Sequence, residues 1–217
     1  MSPDLDALYG TRFPPEVARR RERVWREIAH HLQRYVRPEA VLDLACGEGY
    51  FIRNVRAGER WATDARDVTA WLPGDVRFVQ CDGMRLLEAL PQGRFTTVFI
   101  SNYLEHLPSR DAVAAQIAVV RDLLAPGGRM IVLQPNIRLV GGHYWDQLDH
   151  HVALTEVTLR EAAAVAGLRE VKTVTRFLPY TTRSRIPQHP LLVRAYLAFP
   201  PVWRLLGKQT LFIAERP

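Results

Sequence analysis

Residues 41–49 of this 217-residue chain, Val-Leu-Asp-Leu-Ala-Cys-Gly-Glu-Gly, form an apolar run that ends in a turn of small residues. Val41, Leu42 and Leu44 have the pattern of a strand that is buried on both faces, as in a parallel sheet. Residues 50–55 follow with helical spacing. A strand, a glycine turn and a helix in this order predict an α/β fold with a ligand cradle at the carboxyl end of the strand.

The turn also limits the kind of ligand. Gly47 and Gly49 carry no Cβ, so a ligand can lie against the backbone there. The dinucleotide pattern requires a third glycine, and this chain has Ile52 at that position. No Gly-Lys-Ser/Thr follows, so the Walker pattern also fails. With Asp43 available to attract an ammonium group, the turn favours a nucleoside that has an amino-acid tail and no phosphate, as in S-adenosylmethionine.

On these residues the chain resembles the class I S-adenosylmethionine-dependent methyltransferases, over roughly residues 39–176 and a final strand near 209–215. The family motif Asp-x-Gly-x-Gly-x-Gly has Ala45 in place of its first glycine here. The resemblance implies a seven-stranded, mostly parallel, doubly wound sheet with an antiparallel last strand, the Rossmann-like methyltransferase fold. It also implies S-adenosyl-L-methionine as methyl donor and S-adenosyl-L-homocysteine as product.

Two further predicted strands end in acids. Asp64 ends the second strand, 21 residues after Asp43, close to the spacing of about 20 at which a carboxylate meets ribose hydroxyls. Residues 78–83 predict the third strand, and the resemblance implies that Asp82 reaches the adenine amino group. Both acids have an alternative role as helix caps.

The fourth and fifth strands are expected in residues 95–107 and 130–133, the latter after the Pro-Gly-Gly stop of a helix. In the family, residues after the fourth strand lie beneath the donor sulfur. The predicted cofactor-binding residues are Asp43, Ala45, Cys46, Gly47, Gly49, Asp64, Cys81, Asp82, Gly83, Ser101, Asn102 and Tyr103.

The length and the 47% hydrophobic content suffice for one globular domain with a full core. We expect an N-terminal helical cover (1–37), a cofactor-binding core (38–176 and 209–217) and an insertion (177–208) that caps the acceptor site. No apolar run is long enough to span a bilayer, and no signal-peptide core is evident. The two cysteines suit free thiols, so we expect a cytoplasmic location.

The charge is uneven along the chain. Residues 11–37 hold eight Arg against three Glu, residues 38–168 hold 12 Arg against 16 acids, and residues 169–217 hold nine Arg or Lys against two Glu. Basic flanks on an acidic body suit an anionic acceptor, a peripheral membrane contact or RNA, and solubilising surface charge is the simpler alternative. Within the insertion, residues 191–199 predict an apolar helix that either caps the acceptor site or packs flat on the sheet edge.

Methylation of a hydroxyl requires removal of a proton, for which histidine is suited near neutral pH. The candidate bases are His106, which follows the fourth strand, and His150 and His151, which follow the fifth. Asp149 or Glu105 can orient a ring. A single histidine is more often structural than catalytic, and several on one side of a predicted pocket shift the balance towards catalysis.

Some O-methyltransferases of the family, including ubiquinone-biosynthesis and small-RNA 2′-O enzymes, carry a Glu-x-x-Glu-His motif and a later His that hold a divalent ion. This chain is similar in Glu105-His106 and a later His150 or His151, but Asn102 stands at the first ligand position. Asparagine is a weaker ligand than glutamate. We therefore predict no metal site and keep a divalent metal as the less favoured alternative.

These features predict a small-molecule O-methyltransferase with a natural-product, sugar or lipid-linked acceptor. Ser101-Asn102-Tyr103-Leu104 stands where the Asn-Pro-Pro-Tyr motif of DNA amino methylation would be, so we expect no DNA partner. An RNA methyltransferase and a non-catalytic protein that kept the cofactor fold stay open as alternatives, and Ile52 disfavours a NAD-dependent reductase. The sequence leaves the acceptor and the oligomeric state undetermined.

Overall fold

The computed structural model describes residues 15–180 and 189–217, with the backbone alone for residues 15–18. Residues 1–14 of the predicted N-terminal cover and residues 181–188 of the predicted insertion lie outside these ranges. None of the helices within the described ranges combines the length and the apolar character that crossing a bilayer requires.

The described residues contain seven strands in one sheet. They are β1 (Ala40–Leu44), β2 (Glu59–Asp64), β3 (Val76–Gln80), β4 (Phe95–Ser101), β5 (Leu124–Pro135), β6 (Arg169–Leu178) and β7 (Gln209–Glu215). Their order across the sheet is β3-β2-β1-β4-β5-β7-β6, and β7 runs antiparallel between β5 and β6. The predicted mostly parallel α/β sheet with an antiparallel last strand is confirmed.

Helices cover both faces of this sheet. They are α1 (Pro15–Leu32), α2 (Leu86–Ala89), α3 (Arg110–Leu123), α4 (Ile137–Val140), α5 (Glu156–Val165), α6 (Pro190–Ala198) and α7 (Pro200–Leu206). One apolar layer joins α1 and α6 to the sheet through Leu32, Leu197 and Phe99. The opposite layer joins α3 and α5 to it through Ile117 and Leu159. All five residues of β1 are buried because both layers press on it.

Local signals set the ends of the longer helices. The Ser109 hydroxyl accepts the Ala112 amide at 3.1 Å at the start of α3. The Thr155 hydroxyl likewise accepts the Thr158 amide at 3.2 Å, as predicted for the start of α5. Gly167 follows α5 with a φ of +78°, a left-handed conformation that ends a helix at little cost in glycine.

Two predicted boundaries are wrong. The helix expected after Gly49 is a run of turns over residues 47–54, because the Ile52 amide donates to the Asp43 carboxylate at 3.2 Å and not to a helical carbonyl. Strand β5 begins at Leu124, before the Gly127-Gly128 stop and not at residue 130 as predicted. A shift in the β4–β5 register between Phe95 and Thr97 accommodates this early start.

The connections place a crevice at the carboxyl ends of the strands. Strand β1 has β2 on one side and β4 on the other, so the chain leaves β1 towards one half of the sheet and returns at β4 to build the other half. In open parallel sheets, ligands bind where the connections diverge in this way. The predicted cradle residues lie at this switch point.

The end of α1 is anchored against the last part of the sheet by His31. Its buried ring lies 5.6 Å from the Phe177 ring and 5.8 Å from the Trp203 ring, centroid to centroid. Burial, together with the charges of Arg34 and Lys172, lowers the pKa of His31 from its ordinary value to about 4. The fold therefore holds this imidazole neutral.

We expect the free energy of unfolding to fall by about 2 kcal/mol between pH 7 and pH 5 on account of His31. The unfolded chain binds a proton near pH 6.5 and the folded chain binds it only near pH 4, so stability is lost as the pH falls through this window. Urea titrations at both pH values measure the loss, and His31→Gln should flatten it. An equal loss in the variant would assign the effect to other groups.

Candidate active site

The loop after β1 adopts left-handed backbone at three positions, Ala45 (φ +53°), Gly47 (φ +55°) and Gly49 (φ +68°). A Cβ at Gly49 would lie 2.3 Å from the Leu72 side chain, so this position requires glycine. At Gly47 no atom lies within 4 Å of where a Cβ would be, so its α-carbon faces open space. Ala45 takes up the conformation of the missing glycine, at a cost of about 1 kcal/mol.

Asp43 supports this loop from inside the fold. Its carboxylate is buried at the end of β1 and accepts the Ile52 amide at 3.2 Å. Burial raises the pKa of Asp43 well above its ordinary value, while the hydrogen bond from Ile52 opposes that rise. Its attraction for the ammonium group of a ligand stays a prediction.

Asp64 faces the same loop from the end of β2. Its Oδ2 accepts the Gly47 amide at 2.9 Å, and its Oδ1 accepts the amide of Arg66 at 3.0 Å and the Nε–H of Arg66 at 3.2 Å. Asp64 does not have the alternative role of a helix cap. At the start of the helical turn that follows β2, the Thr69 amide donates to the Asp67 side chain instead. Two predicted cradle residues, Gly47 and Asp64, are thus in direct contact.

The end of β3 forms one wall of a cavity of about 480 Å³ beside Asp64. It is lined by Ala65, Gln80, Cys81, Asp82, Arg85, Glu88 and Ala89. Asp82 also accepts the Met84 amide at 2.8 Å, so the predicted capping role is present. The cavity lies on the side where the resemblance places the adenine ring.

Residues after β4 close the cradle from the other half of the sheet. Asn102 has a φ of +49°, its amide donates to Leu133 of β5 at 3.0 Å, and its side-chain nitrogen donates to the Ser101 hydroxyl at 2.8 Å. The Tyr103 hydroxyl donates to Gln116 of α3 at 3.0 Å. Tyr103 also passes so close to Gly83 that a Cβ there would lie 2.0 Å from its hydroxyl oxygen.

Four polar side chains meet beside this cradle, between the ends of β4 and β5. The His106 and His150 rings are 5.1 Å apart, centroid to centroid. His106 Nδ1 lies 2.8 Å from the Asp149 carbonyl oxygen and 3.4 Å from its carboxylate. His150 Nε2 lies 4.0 Å from the Glu105 carboxylate. The His106 side chain is 20% exposed and that of His150 is 5% exposed, so His106 is the more accessible of the two.

Glu105 joins the two connections that carry these residues. Its carboxylate accepts the side-chain amide of Gln134 at 2.9 Å, and its carbonyl accepts the amides of His151 and Val152 at 2.8 and 3.1 Å. Burial raises the pKa of Glu105, which favours its protonated form. The backbone carbonyl of Glu105 thus holds the connection after β5, while Gln134 holds its buried side chain.

The structure orients the two adjacent histidines differently, and two further residues belong to the cluster. His151 is exposed and takes part through its backbone amide, whereas its neighbour His150 turns inward. The buried Tyr144 ring lies 4.8 Å from His150, and Gln134 holds Glu105. Neither residue was among the predicted site residues, although a glutamine within the apolar run of β5 was a signal.

The cluster also has the composition of a metal site. One ligand atom each from Glu105, His106 and His150 lies within 4.8 Å of the others. Two imidazole nitrogens and one carboxylate oxygen suit zinc or another first-row transition ion. Asn102, the residue at the family's remaining ligand position, donates its side-chain amide to the Ser101 hydroxyl.

Comparison with known proteins places this geometry in context. A family model described as a methyltransferase domain matches residues 17–173. A Haloferax volcanii protein solved in complex with the Trm112 methyltransferase activator is 19% identical and superposes with a TM-score of 0.67, covering 93% of this chain and 94% of that chain. The N-methyltransferase NodS from Bradyrhizobium japonicum WM9, solved with S-adenosyl-L-homocysteine, is 15% identical with a TM-score of 0.58, covering 91% and 87%. At these identities the two structures share the fold.

One relative resembles this chain in sequence over a shorter stretch. A probable nonribosomal peptide synthetase from Salinispora arenicola is 26% identical over 133 residues, which is 57% of this chain. The match spans 2% of the length of that synthetase.

We expect Gly83→Ala to lower the free energy of unfolding by about 1–3 kcal/mol, because the added methyl group collides with the Tyr103 side chain. Tyr103→Phe in the same background should recover part of the loss by removing the hydroxyl. Gly74→Ala is the matched control, since a Cβ there meets no atom within 4 Å. Chemical denaturation measures all three variants, and equal effects at the two glycines would contradict the close approach.

Proposed function

The chain belongs to the methyltransferase-domain family and is an S-adenosylmethionine-dependent methyltransferase, and from this premise we propose that it methylates a hydroxyl group of a small molecule. The observation that carries the proposal is the hydrogen bond from His106 to the Asp149 carbonyl, at 2.8 Å, beside the donor cradle. A hydroxyl is the acceptor that most needs such an oriented base.

The residues of the cradle fit the donor. The open face of Gly47 leaves room for a ligand against the backbone, and the Asp64 carboxylate beside it has the acceptor oxygens that ribose hydroxyls require. The cavity beside Asp82 is of a size for a purine ring. When bound, S-adenosylmethionine supplies a methyl group activated by the positive charge on sulfur, so the chain has to position the acceptor, exclude water and accept a proton.

His106 is the residue we assign as base. A carbonyl oxygen can only accept, so the 2.8 Å contact with Asp149 puts the proton on Nδ1 and leaves the lone pair on Nε2. Nε2 then takes the hydroxyl proton while the acceptor oxygen takes the methyl group. The Asp149 carboxylate, 3.4 Å from Nδ1, stabilises the imidazolium that forms.

His150 and Glu105 act as positioning residues in this proposal. His150 is nearly inaccessible and packs against the His106 ring, while Glu105 holds the connection that carries both Asp149 and His150. His151, which is exposed, has no role in the proton transfer proposed here.

The sequence relationship supports a small-molecule acceptor. The matching stretch belongs to a probable nonribosomal peptide synthetase, an enzyme that by its name builds a peptide without the ribosome. An RNA acceptor has the basic flanks of the sequence in its favour, but the Asp149 carboxylate beside His106 would repel a phosphate backbone.

We expect Asp64→Asn to weaken S-adenosylhomocysteine binding about tenfold or more, because the ribose hydroxyls lose a charged acceptor. Thermal shift in saturating S-adenosylhomocysteine measures this, with NAD and buffer alone as references and Asp111→Asn, in α3, as control variant. An undiminished shift in the Asp64 variant would place the ribose elsewhere.

We expect His106→Gln to lower kcat by about 10²-fold or more without changing the S-adenosylhomocysteine thermal shift, because the base contributes to chemistry alone. Release of S-adenosylhomocysteine is followed over a panel of phenols and the corresponding anilines, and mass spectrometry identifies methyl ethers.

The same assay tests the metal alternative. Activity that survives EDTA supports a proton-accepting role for His106, whereas activity lost in EDTA and restored by zinc or manganese would assign the cluster to metal binding. Methylation of anilines in preference to phenols would contradict the hydroxyl acceptor.

A further inference from the structure

Helix α6 is apolar on the side that faces the protein and also on the side that faces away from it. Val193, Tyr196 and Leu197 form its inner side, and the Tyr196 hydroxyl donates to the Phe177 carbonyl at 2.6 Å. A helix that is apolar all round is normally buried. The outer side of α6 therefore requires an apolar partner.

The outer side forms one continuous stripe. Leu191, Leu192, Ala195 and Ala198 are exposed and fall within about a third of a turn of the helix at 100° per residue, and exposed Phe199 follows directly after the helix. Leu191, Leu192 and Phe199 are 65%, 50% and 60% exposed. We call these five residues the α6 stripe. Exposed Leu205 and Leu206 at the end of α7 add apolar surface to the same segment.

The charged residues of the segment that carries the stripe have one sign. Residues 179–208 contain four Arg and one Lys and have no Asp or Glu. Arg194, the one charged residue within α6, makes two hydrogen bonds to Glu27 of α1, at 2.9 and 3.2 Å. Arg204 and Lys208 are exposed in and beside α7. Aliphatic and aromatic side chains flanked by cations are the composition of a surface that lies in the headgroup region of an anionic bilayer.

We propose that the α6 stripe docks the protein peripherally on an anionic membrane surface. Leu191, Leu192 and Phe199 enter the boundary between headgroups and acyl chains, and Arg204 and Lys208 meet lipid phosphates. A second copy of this chain is a poorer partner, because two such segments would bring like charges together without an acid to pair them. RNA is a poorer partner as well, because the stripe is mostly aliphatic and offers few stacking surfaces.

The placement of the segment fits this role. The chain leaves the sheet at Leu178, the end of β6, and returns at Lys208, whose amide donates to the Leu178 carbonyl at 2.7 Å. Pro135, at the end of β5, pairs with Gln209 at the start of β7. The segment that carries the stripe is therefore anchored at the edge of the sheet where β4 and β5 also end, which leaves the rest of the sheet free of the membrane.

The experiment is cosedimentation of the full chain with vesicles of phosphatidylcholine alone or with one quarter phosphatidylglycerol. We expect binding to the anionic vesicles, reduced by 0.5 M salt, and a fall of about tenfold or more in the partition coefficient for Leu191→Ser/Leu192→Ser/Phe199→Ser. Trp71→Ser/Leu148→Ser/Val165→Ser, which removes one aromatic and two aliphatic side chains exposed elsewhere, should bind like the unmodified chain.

Arg204→Glu/Lys208→Glu tests the charges separately and should weaken binding to the anionic vesicles with unchanged thermal unfolding. Absence of binding to either vesicle, or equal binding by the stripe variant, would overturn the proposal. A dimer detected by light scattering and abolished in the stripe variant, without vesicle binding, would assign the stripe to self-association.

Discussion

The hydrogen bond between the Gly47 amide and the Asp64 carboxylate joins the loop after β1 to the end of β2 at the switch point of the sheet. The Asp43 carboxylate holds the same loop from inside through the Ile52 amide. Ordering this loop costs free energy, because Ala45 is held in left-handed backbone and two glycines lose their conformational freedom, and these two acids offset that cost. The open face of Gly47 depends on both contacts.

The acceptor side depends on a different buried acid. Glu105 is enclosed between the connections that follow β4 and β5, and burial raises its pKa. A buried polar atom without a hydrogen bond is costly, so the bonds that Glu105 makes contribute strongly to stability. Through Gln134 and the amides of His151 and Val152 it sets the position of the connection that carries Asp149 and His150. The two sides of the proposed site thus depend on buried acids, Asp43 and Asp64 on the donor side and Glu105 on the other.

The helices that cover the sheet, and not the sheet itself, distinguish this protein from others that share the fold. Helix α1 covers one face of the sheet, and Arg53, in the turns after β1, donates to Glu22 of α1 at 2.8 Å. Helix α6 packs on α1, where Arg194 bonds to Glu27. Because α6 belongs to a long connection between β6 and β7, it can change without disturbing the cradle. Surfaces for acceptors and partners are therefore built from the connections, while the strand ends keep the donor.

The amino-acid sequence was sufficient for the α/β class, the seven strands and the glycine turn after β1, because buried runs, glycine turns and capping residues act over a few neighbouring residues. It was not sufficient for the turns after Gly49. Those turns depend on the hydrogen bond from the Ile52 amide to Asp43, a residue that lies outside that segment. Nor could it choose between His150 and His151, since a loop has no periodicity that assigns a side chain to one face. Tertiary contacts between Glu105 and the connection that carries both histidines determine the outcome. His150 turns inward and His151 stays in solvent.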